Sequence, residues 1–132
     1  MRVGRLLKRL VGELEKEGRL TGELRVKFYR AYGDRFLRAL KAVEESRVKK
    51  YVFLPGVIEE WVVVGRTRDY LVVEDFYCTC DDFYVDVAVR GIVDACYHLL
   101  AKEIARVLGR YEVLRVEEGV YESLIREWRS FE

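Results

Sequence analysis

Apolar residues recur at Val3, Leu6, Leu7, Leu10, Val11 and Leu14, with Arg5, Lys8 and Arg9 between them. Spacings of three and four put the apolar side chains on one side of an α-helix and the cations on the other. A helix is therefore expected over residues 3–16, with Gly18 as its stop. A second stripe, Leu24, Phe28, Tyr32, Phe36, Leu40 and Val43, predicts a helix over residues 21–45. Gly33-Asp34 bends or divides it, with Asp34 as a new cap. From Lys49 the period drops to that of strands. Residues 49–54 lead into Pro55-Gly56, a turn dipeptide. Residues 57–64, with Ile58, Trp61, Val62 and Val63, read as a strand buried on much of both faces. Gly65-Arg66-Thr67-Arg68 then turns the chain, and residues 69–74 return it. The result is a predicted three-stranded antiparallel meander that delivers the chain into Cys78.

Helical periodicity resumes after the cysteines. Asp81 and Asp82 are expected to cap a short helix carrying Phe83, Val87 and Ala88, ended by Arg90-Gly91. Asp94 is expected to cap a longer helix over about 95–108, with Leu99, Leu100, Ile104 and Val107 inward and Gly109 as the stop. An extended piece over 111–116 precedes a last helix over 118–128. No internal repeat or low-complexity linker divides the 132 residues. One compact α+β domain is expected, in which 1–45 is the helical region and 46–132 carries the meander, a CxC…CxH zinc knuckle and the C-terminal helices.

The chemistry is concentrated between Tyr77 and Ala101. Cys78, Cys80, Cys96 and His98 are all three cysteines and the only histidine of the chain. Three soft thiolates and one imidazole, in two close pairs, form a ligand set for tetrahedral Zn2+. An odd cysteine count fits a disulfide framework poorly. Cys78 and Cys80 converge on one ion where a strand end curls. Residues two apart in mid-helix diverge, so a helix must begin at Cys96 and His98 for these two to converge. A polar acceptor is expected on the other His98 nitrogen. Four protein ligands leave no exchangeable position, which argues against a catalytic metal and against an enzyme. A redox role for a Cys78/Cys80 dithiol would leave Cys96 and His98 without a purpose.

Cys78-Thr79-Cys80 followed by Cys96-Tyr97-His98 resembles the SWIM zinc finger. Extension to Ala101 gives CxC…CxHxxA, which is similar to the SWIM-domain subunit of the Shu complex and its archaeal relatives. Tyr77, Phe83, Leu99-Leu100 and the preceding Trp-Val-Val-Val-Gly-Arg segment agree with that pattern. The resemblance covers residues 32–109. It implies a non-enzymatic protein of homologous recombination, paired with a RecA-family recombinase paralogue and helping recombinase filaments form on single-stranded DNA. For Ala101 it implies a place in the partner-binding region; core packing is the other reading of that residue.

Composition adds source and partner expectations. The chain has no Asn or Gln, one Met, and 36% charged residues, a pattern of hyperthermophile proteins. No apolar run is long enough for a membrane span, and Glu13, Glu15 and Glu17 interrupt the leucines of the first helix, so a soluble cytoplasmic protein is expected. Net charge is +1, weak for a stand-alone nucleic-acid-binding zinc finger protein, which is the alternative reading. Cations outnumber carboxylates before Asp69 and the reverse holds after it. Either the halves attract each other within the fold or an oligomer, or each meets its own partner. Lys49, Lys50, Arg66 and Arg68, with Tyr51 and Tyr70, would grip single-stranded DNA if they formed one surface; otherwise they are a solvated sheet face. The leucine-rich first helix belongs to the core, to a partner interface, or to a homo-oligomer.

Overall fold

Side chains of neighbouring strand residues point to opposite faces, and here both faces are covered. In the computed structural model, which describes residues 3–56, 58–73 and 77–129, Val48, Trp61, Val63 and Val72 face a large helical core. Phe53, Val62 and Leu71 face a smaller cluster around Trp128. The expected strand ends at Val57 and Glu74 lie outside the described residues. Strands β1 (Val48–Leu54), β2 (Ile58–Val64) and β3 (Asp69–Val73) pair as antiparallel neighbours.

The sheet is larger than expected by two strands. β4 (Tyr77–Cys78) joins the outer edge of β3, and β5 (Glu112–Glu117) lies beside β1, giving the order β4-β3-β2-β1-β5. β5 runs parallel to β1, from Lys49 opposite Glu112 to Leu54 opposite Glu117. Its sequence reads as extended, but a parallel partner some sixty residues earlier has no local signal, because such pairing needs a long crossover.

Helices α1 (Arg5–Glu17), α2 (Gly22–Tyr32), α3 (Asp34–Glu44) and α4 (Tyr97–Leu108) cover one face. α5 (Tyr121–Trp128) covers the other. Leu7, Leu10, Val11 and Leu14 of α1 are buried in the main core, which answers the question of the first helix: its stripe is spent inside the chain. α2 and α3 separate at Gly33, whose φ of 56° is one that L side chains rarely adopt. Asp34 makes no capping bond; it is the first residue of α3. Among the described residues no helix is long and apolar enough to cross a membrane.

Two further caps differ from expectation. Asp94 does not cap the helix that follows it. Its Oδ2 accepts the backbone N–H groups of Leu6 (2.8 Å) and Leu7 (3.0 Å), and its carbonyl accepts that of Gly4. A buried carboxylate here satisfies the free donors of the α1 N-terminus and sits at the positive end of its dipole. Asp94→Ala should therefore lower unfolding free energy by about 1–3 kcal/mol, with Asp94→Asn intermediate, by urea titration. An unchanged midpoint for Asp94→Ala would remove the cap from the account. Asp82 likewise makes no cap bond. With Asp86 it is held by Arg35 of α3, at 2.8 and 3.0 Å. The short helix that follows Asp82, Phe83–Val89, is a π-helix with Phe83 and Val87 buried and Asp86 in its first turn.

Candidate metal centre

Register aims the first ligand. Cys78 of β4 lies opposite Val72, so its side chain shares the helical face of the sheet. Thr79 then fixes the curl between the two cysteines. Its backbone N–H donates to the Leu71 carbonyl and its Oγ1 accepts the Leu71 N–H, both at 3.2 Å. Cys80 follows, and its Sγ accepts the Phe83 N–H at 3.3 Å. On the other side, Cys96 is the N-cap residue of α4 with extended dihedrals (φ −87°, ψ 172°). His98 is the second residue of the helix, so the one-residue spacing straddles the strand-like to helical change and both side chains converge.

The ligand atoms of Cys78, Cys80, Cys96 and His98 all lie within 4.8 Å of one another, and all four residues are buried. The donor set fits a metal ion on two observations. Both His98 ring nitrogens are buried with no hydrogen-bond partner among the described residues, an arrangement that costs free energy unless something binds there. The three thiols also compete for one negative charge. The adjacent Cys78 thiol, and then that of Cys96, pulls the Cys80 thiol down, whereas burial pushes Cys78 and Cys96 up. Burial that disfavours thiolates here would be offset by a cation held among the three sulfurs. A Zn2+ ion bound by these four residues would supply a structural cross-link between the β4 end and α4.

The polar acceptor expected on His98 is absent among the described residues. Instead the imidazole packs against two rings, Tyr97 at 3.8 Å and Tyr70 at 4.2 Å, tilted by 36° and 32°. Tyr70 and Tyr97 were visible only as aromatic residues; nothing in their spacing announced that they hold the ligand. Thr79, the x of CxC, was likewise silent.

The remaining predicted positions scatter. Ala101 is wholly buried in the main core one turn after His98, so its methyl group touches the interior. Lys49 and Lys50 are adjacent on β1, hence on opposite faces of the sheet. Lys49 pairs with Glu112 at 3.5 Å, and Lys50 with Glu59 at 3.1 Å while lying over the Trp61 ring. Arg68 donates to the Trp128 carbonyl at 3.1 Å. Arg66 is exposed at the β2–β3 turn. These four cations do not make one surface.

No protein-family model matches the sequence. The chain is 31% identical over 122 residues to an uncharacterized protein of Archaeoglobus fulgidus, a match spanning 89% of this chain and 96% of that one. It is 22% identical over 119 residues to a zinc finger SWIM domain-containing protein 7 homolog of Dictyostelium discoideum, spanning 89% of this chain and 76% of that one.

Proposed function

For a chain that belongs to one family with the uncharacterized Archaeoglobus fulgidus protein, we propose the work of a zinc-stabilised, non-enzymatic adaptor in homologous recombination and DNA repair. The centre is read as a SWIM zinc finger of the kind found in the Shu-complex subunit and its archaeal relatives. The partner is a RecA-family recombinase paralogue, through which the protein assists recombinase on single-stranded DNA. The observation that carries this reading is the buried Cys78, Cys80, Cys96 and His98 tetrad. Four protein donors complete a tetrahedral shell, so the metal offers no site for substrate or activated water. Likeness to a SWIM zinc finger protein over most of the chain supports the same reading. A metal so enclosed shapes a surface, and a protein whose metal only shapes a surface acts through what binds there.

The test is affinity capture from an extract of the native cells, with zinc-loaded protein and with Cys96→Ser as bait. A RecA-family paralogue should be enriched by the first and missing from the second. Recovery of the bait alone, or equal capture by both, overturns the adaptor reading.

A further inference from the structure

An open groove of about 810 Å3 lies beside the metal centre, between α3, the β2–β3 turn and the start of α4. Four cations line it: Arg38 and Lys41 from α3, Arg47 from the loop after it, and Arg66 from the turn. Glu45 is the one carboxylate in the lining, and Arg47 already holds it at 3.0 Å. Arg38, Lys41 and Arg66 are exposed and have no carboxylate partner among the described residues. Lys49, Lys50 and Arg35, by contrast, are each held by a carboxylate.

Two half-buried rings, Tyr70 and Tyr97, stand in the same wall with His98. The Arg38 guanidinium lies 5.7 Å from the Tyr97 ring centre. The wall is shaped around Tyr70: a Cβ on Gly65 would stand 2.6 Å from its Cε2 and 2.6 Å from the Arg68 carbonyl. Only glycine lets the turn lie this close to the ring.

We propose that this groove binds the backbone of single-stranded nucleic acid, with bases resting on the tyrosines. Unpaired cations from two separate segments, α3 and the β2–β3 turn, suit a chain of phosphates better than one ion, for which the donors would converge. Partly exposed rings between the cations suit bases that are free to stack, which a duplex does not offer. This names the surface for the single-stranded DNA of the proposed function and rests on that reading. Strand binding by the isolated protein is nevertheless measurable without the recombinase.

The test uses zinc-loaded, full-length protein and a fluorescent oligothymidylate of about 20 nucleotides, long enough to exceed one site. Binding should weaken steeply as salt rises. Arg38→Glu with Arg66→Glu should lower affinity at least tenfold and flatten the salt slope by about 0.7 for each lost phosphate contact. Arg5→Glu with Arg9→Glu, equal in charge change and exposed on α1, should alter affinity less than twofold. Tyr70→Leu should cost about fivefold or more through lost stacking. Retained zinc and an unchanged circular dichroism spectrum establish that each variant folds. Equal losses in both charge-reversal pairs, or none in the Arg38/Arg66 pair, overturn the groove. So does competition by inorganic phosphate, a duplex or polyglutamate as effective as that by the oligonucleotide. Capture of the recombinase paralogue by the Arg38/Arg66 variant is scored separately, so a failed groove and a failed adaptor give different results.

Discussion

His98→Ala is expected to lose the bound zinc and, with it, most of the stability of the fold. Metal binding contributes on the order of 10 kcal/mol in small structural sites, comparable to the whole unfolding free energy of an ordinary domain. A metal bound by the tetrad would tie the end of β4 to the first turn of α4, and Leu99, Leu100, Ala101 and Ile104 of α4 are fully buried. Losing the tie therefore releases both the sheet edge and the central helix. Removing the imidazole also takes away the ring against which Tyr70 and Tyr97 both pack. Chelator treatment of the unaltered protein should reproduce the effect and added zinc should reverse it. Acid should act in the same direction. The Cys78 and Cys96 thiols are held above the ordinary thiol range by burial, so metal binding must displace protons from them. Zinc affinity, and the stability it confers, is then full at alkaline pH and falls as pH drops. One zinc per chain and an unchanged thermal midpoint in His98→Ala would refute the cross-link.

Why the metal ligands were readable and their setting was not has a physical explanation. Cys78, Cys80, Cys96 and His98 are the chain's only residues of their kinds, and donor chemistry depends on residue type before it depends on fold. The helices were readable for a similar reason. Leu7, Leu10, Val11 and Leu14 carry their period within a dozen residues, and all four are buried as that period requires. Asp94 departs from expectation because a short polar residue before a helical stretch has the pattern of a cap of that stretch. Its actual partners, Leu6 and Leu7, lie almost ninety residues away in sequence. The same limit hid the pairing of β5 with β1, and the groove that gathers Arg38, Lys41 and Arg66 from a helix and a turn. Lys49 and Lys50 looked basic and available. Carboxylates of β5 and β2 had already taken them, and the two-residue period sends them to opposite faces.

Trp128→Ala should produce the second large loss, and one of a different kind. Trp128 is 2% exposed and is the centre of the smaller core, where Phe53, Val62 and Leu71 present the face of the sheet turned away from the metal. Its ring meets Tyr51 edge-on at 4.8 Å and 62°, and Tyr121 meets Phe53 in the same way at 4.9 Å and 89°. Its carbonyl accepts from Arg68, which anchors the end of α5 to the β2–β3 turn. Deleting the indole removes the side chain through which this eight-residue helix is chiefly buried, and such helices are not stable alone in water. A loss of about 3–5 kcal/mol is expected, read from urea unfolding, together with fast amide exchange across α5. Zinc content should stay at one per chain, because the ligands and α4 belong to the opposite face and to the other core. His98→Ala and Trp128→Ala thus separate the two layers. The first removes metal and stability together, whereas the second removes stability and leaves the metal. Zinc lost from Trp128→Ala would mean that the two faces of the sheet unfold as one unit and that the metal centre depends on both.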